Sequence, residues 1–156
     1  MGGNKCKYQI IIVGVGNYIM GDDGVGIHLI KELESKKIPP DVSLIDAGTA
    51  PINYLKEISL SKEVIAIDAI YGGKSPGTIY RLCLDDLKKS TNPDLHGFSL
   101  FDVIKMGQSM TGYPHKITIY GIEPERITLG TKLSKSVQKA VMKVKKIIEE
   151  KLSPHI

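Results

Sequence analysis

Apolar residues fall in two rhythms along this chain, and each predicts a different element. Tyr8 to Val15 is dense in β-branched residues (Ile10, Ile11, Ile12, Val13), as a buried strand requires. Val42-Ser43-Leu44-Ile45 predicts a second strand. Glu63 to Ile70, with Val64, Ile65, Ala66 and Ile67, predicts a third strand covered on both faces. Between these runs the spacing shifts to three and four residues. Val25, Leu29, Ile30 and Leu33 share one face of a helix from about Gly24 to Glu34, with Asp23 as its expected N-cap. Ile52, Leu55 and Ile58 predict a short helix, with Pro51 in its first turn and Thr49 as cap. Leu100, Val103, Ile104 and Phe101 form the inward stripe of a helix that starts near Ser99 and is broken by Thr111-Gly112-Tyr113-Pro114. Val137, Val141, Val144, Ile148 and Leu152 mark a long amphipathic helix over Ser134–Leu152.

The remaining segments complete the order. Gly72 to Gly77 and the stretch through Asn92-Pro93 are loops by composition, and Asp85–Lys89 forms a helical turn. Thr78 to Leu84 alternates with polar residues and suits a sheet edge, and Lys116–Ile122 is a last strand. Strands alternating with helices predict an α/β fold, a three-layer α/β/α sandwich with a mostly parallel sheet. The loop before Thr78 is too short for a crossover helix, so that strand is expected to be antiparallel and the sheet mixed.

Composition changes this picture little. The 156 residues suit one domain with a sizeable core, and 42% hydrophobic with 24% charged residues is ordinary for a globular chain. The net charge is +4, and the densest group of lysines, six of them, sits in the C-terminal helix without interleaved aromatics, so no nucleic-acid partner is expected. Cys6 and Cys83 form no CxxC site and no disulfide framework. The apolar run Ile10–Val15 is far short of the roughly 20 residues of a membrane helix. No cleavage signal follows it, so a soluble, cytoplasmic protein is expected.

Candidate chemistry gathers where open α/β sheets bind ligands, beyond the carboxyl ends of the strands. The first strand leads to Asn17, Asp22 and Asp23, the second to Asp46 and the third to Asp68, and His96 precedes the helix near Ser99. The glycines around Asn17 would ordinarily suggest a pyrophosphate, but the carboxylates repel one and Ile19 stands where GxGxxG needs its third glycine. No GxSxG elbow, HExxH or P-loop occurs. Clustered acids with an imidazole invite a divalent cation of the nickel, zinc or iron kind rather than magnesium. Each residue also has a structural role open to it: Asp23 as a cap, Asp68 in an Asx turn, His96 capping the next helix. Asp22 is expected to face solvent. His28, His115 and His155 are read as structural or solvated, and Met20, Met106 and Met110 as packing or substrate-facing.

Taken together, Gly14-Val15-Gly16-Asn17, Gly21-Asp22-Asp23-Gly24-Val25-Gly26, Asp46-Ala47-Gly48-Thr49-Ala50, Ile67-Asp68-Ala69, Pro76-Gly77-Thr78 and Leu95-His96 resemble the NiFe-hydrogenase maturation endopeptidases over nearly the whole chain. The resemblance implies a twisted, mixed five-stranded sheet between helices. It also implies one task, removal of the C-terminal extension of a NiFe-hydrogenase large-subunit precursor after nickel insertion. By position it makes Asp23, Asp68 and His96 metal ligands, with Asp23 and Asp68 catalytic and Asn17, Asp46, Gly48 and Thr49 substrate-binding. Many relatives carry Glu where this chain has Asp23, one methylene shorter. The nickel is expected to arrive with the substrate, with zinc or cadmium as surrogates in vitro. The attacking water is activated by the metal or by one carboxylate. A non-catalytic, metal-gated chaperone of the large subunit would use the same three residues, and a nucleotide-binding regulator is the third alternative.

Overall fold

A computed structural model describes residues 5–88 and 99–153, with the side chains of Leu87 and Lys88 excepted. Five strands form one sheet: β1 (Tyr8–Val15), β2 (Val42–Gly48), β3 (Ser61–Ala69), β4 (Ile79–Cys83) and β5 (Lys116–Ile122). Their order is β2-β1-β3-β5-β4, all parallel except β4, which runs antiparallel to β5. The mixed, mostly parallel sheet expected from the sequence is therefore present. The helices are α1 (Val25–Glu34), α2 (Leu55–Ser59), α3 (Leu84–Lys88), α4 (Leu100–Thr111) and α5 (Lys135–Leu152), with 3-10 turns at Gly21–Gly24 and Pro51–Tyr54. Among the described residues, no helix is long and apolar enough to cross a membrane.

The strand rhythm sorts the core into two layers. Ile10 and Ile12 of β1 join Ile65 and Ile67 of β3 against Leu29, Leu33, Val141 and Val144 of α1 and α5. Ile11 and Val13 turn to the other face with Val64 and Ala66, against Ile58, Val103 and Ile104 of α2 and α4. Alternation along a pleated strand sends successive residues to opposite faces, so both faces of β1 and β3 must be apolar. Helices on both faces complete the three layers.

This topology fixes where a ligand can enter. The chain leaves β1 through α1 to reach β2 on one side, then crosses through α2 to β3 on the other. The crevice between the carboxyl ends of β1 and β3 is thus the switch point of the sheet. Helix α1 comes close to the sheet there because two glycines carry no side chain. A Cβ on Gly14 would lie 2.3 Å from the Gly26 carbonyl oxygen, and one on Gly26 would lie 2.4 Å from that of Ile67.

Several local expectations are corrected. Asp23 caps no helix: the 3-10 turn intervenes, Gly24 takes the N-cap position of α1, and neither cap makes a side-chain hydrogen bond. Ala50, not Thr49, is the N-cap before Pro51. Phe101 is half-buried rather than part of the inward stripe of α4, and the Lys105 Nζ lies 5.2 Å from its ring centre. The start of α4 is as expected, with Ser99 and Asp102 forming a reciprocal capping box and left-handed Gly112 closing the helix.

Candidate active site

Asp22 and Asp23 are adjacent in sequence yet do opposite things. The tight 3-10 turn sends them in different directions. Asp22 is 1% exposed, against the expectation that it faces solvent. Its Oδ2 accepts hydrogen bonds from the amides of Glu125 and Arg126, both at 2.9 Å, and from the Ser134 hydroxyl at 2.7 Å. Its Oδ1 accepts one from the Ser134 amide at 2.8 Å. Burial alone would raise the Asp22 pKa, but the bonds from Ser134, Arg126 and Glu125 together hold it below the usual carboxylate range. Ser134 is the N-cap of α5 and makes no cap bond within that helix, so Asp22 meets the positive end of α5 in its place. Asp22 is therefore a structural lock between the turn carrying Asp23 and the start of α5.

Asp23 remains at the rim, half-buried, with its Oδ2 accepting the Asn17 amide at 2.9 Å. The Asn17 Oδ1 in turn accepts the Ile19 amide at 3.2 Å. Asp68 sits near the end of β3, in register with Gly121 of β5, and its Oδ1 accepts the Ala69 amide at 2.8 Å. This contact with the next residue differs from the Asx turn, which reaches the second residue on. Gly16 packs against the backbone of Asp23 and comes near the Asp68 carboxylate. At φ 135° it occupies backbone space that disfavours a side chain, and a Cβ there would be 2.0 Å from the Asp23 carbonyl oxygen and 3.8 Å from the Asp68 Oδ1.

Burial is the main cause that pushes the Asp68 pKa up to about 7. The Ala69 amide pulls it down, and the charge of Asp23 adds to the rise. The carboxylates of Asp23 and Asp68, each within the other's field, are oxygen donors that suit a divalent cation, which would relieve the repulsion between them. Among the described residues no three His, Cys, Asp or Glu side chains gather closely enough to hold a metal. His96 lies outside the described residues, as do His155 and the Asn92-Pro93 stretch.

A raised pKa has a consequence for stability. The folded protein holds a proton on Asp68 that the unfolded chain, with a pKa of about 4, gives up earlier. This group's contribution is therefore fully present below about pH 4 and lost as pH rises through about 7. The Asp68→Asn protein is expected to gain about 1–3 kcal/mol over the parent at pH 8 and almost nothing at pH 4. Urea titrations at the two pH values check this, and equal gains at both would contradict it.

On the other side of Gly16 opens a cleft of about 300 Å³, lined in part by Asn17, Tyr18, Lys31, Asp46, Gly48 and Thr49. All four residues expected to bind substrate are on its walls. The Asp46 Oδ1 accepts the Gly48 amide at 3.0 Å, and the Gly48 carbonyl accepts the Gly16 amide at 2.9 Å, so the ends of β1 and β2 are tied together. Sequence reasoning missed Tyr18 and Lys31, whose Nζ lies 3.9 Å from the centre of the Tyr18 ring. His28 packs its ring 5.0 Å from that of Tyr18, and burial lowers its pKa, in keeping with a structural role. His115 is exposed beside Tyr113. Met20 is half-buried and bridges to Gly130, whereas Met106 and Met110 are exposed on α4.

Asp23 and Asp68 stand at the end of the sheet where α/β folds bind their ligands, and comparison with known proteins defines the class. Residues 27–151 match the HycI family, described as hydrogenase maturation protease. The hydrogenase 2 maturation protease of Escherichia coli is 30% identical over 123 residues, covering 76% of this chain and 75% of that protein. Among solved structures, the hydrogenase-maturating endopeptidase HybD from E. coli superposes with a TM-score of 0.81 at 25% identity, over 94% of this chain and 93% of its own. The NiFe-hydrogenase maturation protease HycI from Thermococcus kodakarensis gives 0.82 at 27% identity, over 93% and 92%. The chain belongs to the hydrogenase maturation protease family and is an endopeptidase.

Proposed function

We propose that this endopeptidase removes the C-terminal extension of a NiFe-hydrogenase large-subunit precursor once nickel has been inserted, and that it reads the substrate's nickel with Asp23, Asp68 and His96. The observation that supports this reading is the Asp68 carboxylate, close to Gly16 at the end of β3, where burial and the charge of Asp23 raise its pKa in a way a cation would relieve. Membership of a family of maturation proteases supports cleavage over the role of a chaperone.

The nickel, when present in the precursor, supplies a Lewis acid that polarises a bound carbonyl or water. The chain's own residues do the rest. Asp23 is oriented by the Asn17 amide and Asp68 by the Ala69 amide, so both carboxylates are fixed before substrate arrives. Asn17, Asp46, Gly48 and Thr49 offer polar groups along the cleft to an extended peptide. Water adds to the scissile carbonyl, a carboxylate takes its proton, and the proton passes to the departing amine as the C–N bond breaks.

Incubation with nickel-loaded and nickel-free precursor, followed by intact mass measurement, tests the reading. Tail loss is expected only from the loaded form, at a rate at least about a hundredfold above the nickel-free control. Equal cleavage of both forms would remove nickel from the recognition step, and tight binding without mass loss would restore the chaperone.

A further inference from the structure

Glu123 follows β5 and is 7% exposed, an unusual place for a carboxylate. It belongs to none of the groups considered so far. Its Oε2 accepts the Gly72 amide at 2.7 Å and the Tyr80 hydroxyl at 3.0 Å, and its Oε1 accepts the Gly73 amide at 3.0 Å. The Gly72 amide is the foremost cause that holds its pKa below the ordinary range, so it is ionised at neutral pH. Its backbone also takes part: the Glu123 carbonyl accepts the Gly77 amide, and its amide donates to Thr78. These bonds gather the loop between β3 and β4 onto one residue.

The loop is gripped from other sides as well. The Ile70 side chain fills the space above Gly121, where a Cβ would come within 2.1 Å of it. Gly72 lies against the Tyr80 ring, leaving a Cβ only 2.3 Å from the hydroxyl oxygen. Within this clamped segment the large apolar side chain of Tyr71 stands out, 66% exposed and three residues beyond Asp68. Its place in the chain sets it on the loop that leaves the carboxyl end of β3 just after Asp68, and partial burial, with the charges of Asp23 and Asp68 adding to it, raises the pKa of its phenol. An exposed aromatic on a rigid loop loses little freedom on binding, which is the usual character of a residue that anchors a partner.

We propose that Glu123 is a positioning residue that holds Tyr71 at the edge of the carboxylate pair, and that the Tyr71 ring packs on the precursor segment flanking the scissile bond. This rests on the precursor-processing reading above. The experiment measures the Kd of nickel-loaded precursor by biolayer interferometry and single-turnover cleavage at saturating precursor by mass. The proteins compared are the parent, Tyr71→Ala, Tyr71→Phe, Glu123→Gln and the double variant Tyr71→Ala/Glu123→Gln.

Tyr71→Ala is expected to weaken binding about tenfold or more while saturated cleavage changes less than about threefold, and Tyr71→Phe to restore binding. Glu123→Gln is expected to weaken binding similarly, and the double variant to be no weaker than Tyr71→Ala alone, because one residue acts through the other. A further variant, Gly72→Ala, whose Cβ would strike the Tyr80 hydroxyl and push the loop away while keeping the Glu123 side chain itself, is expected to show the same loss of affinity. An unchanged Kd for Tyr71→Ala, or additive losses in the double variant, would overturn the proposal. If the parent binds precursor but does not cleave it, the processing reading fails while the binding cycle still decides the role of Tyr71.

Discussion

Asp68→Ala is expected to fold normally and to lose precursor processing by at least about a thousandfold, a deficit of roughly 4 kcal/mol in the transition state. The two halves of this expectation have one cause. The Asp68 carboxylate is costly to keep charged where it stands, as its pKa of about 7 records. Removing it relieves the folded protein of that cost above neutral pH and strips the site of a cation donor in the same step. A merely structural aspartate would behave in the opposite way, with activity and stability falling together. Asp23→Ala is expected to lose processing to a comparable degree, with stability lowered by about 1 kcal/mol through loss of its bond to the Asn17 amide. Thermal melts at pH 8 beside the mass assay separate these outcomes. Near-normal processing by Asp68→Ala would refute the assignment.

The second large effect belongs to the neighbouring residue and reaches the fold. Asp22→Ala is expected to lower stability by about 3–5 kcal/mol, because it leaves the Glu125, Arg126 and Ser134 amides and the Ser134 hydroxyl without their acceptor in a buried place. The pH dependence has a definite sign. The folded pKa is depressed, so the stabilisation from the charged form is present above the unfolded value of about 4 and lost as pH falls through the folded one. Asp22→Asn should therefore differ most from the parent near neutrality and converge with it in acid. Urea titrations across pH 3 to 8 check this, and a loss below about 1 kcal/mol at neutral pH would show that the four bonds contribute little.

The contrast between Asp22 and Asp23 marks how far the sequence could be read. Strands β1 and β3 and helices α1 and α5 were legible because burial on both strand faces, or along one helix stripe, imposes a pattern within a single segment. β5 and α4 were legible for the same reason, with Gly112 supplying the stop. Which of two adjacent aspartates points inward depends on Glu125, Arg126 and Ser134, more than a hundred positions away, and no local pattern encodes that. Assigning Asp23 as a cap failed because a 3-10 turn fills the gap between strand and helix and moves the cap to Gly24. Glu123 escaped notice for the same reason as Asp22, because its partners Gly72, Gly73 and Tyr80 are more than forty positions away, and Tyr71 went with the loop that they hold. Asp46, Gly48 and Thr49 were legible because strand ends in an open sheet must face the crevice, whatever the details of packing.

The central claim is that Asp23, Asp68 and His96 converge on one cation. Anomalous diffraction from crystals of the protein grown with zinc, taken as a stand-in for nickel, tests it most directly. The account predicts a single strong peak at about 2.0–2.2 Å from an oxygen of Asp23, an oxygen of Asp68 and a ring nitrogen of His96. Zinc held elsewhere, or bound at this crevice by fewer than all three side chains, would contradict it.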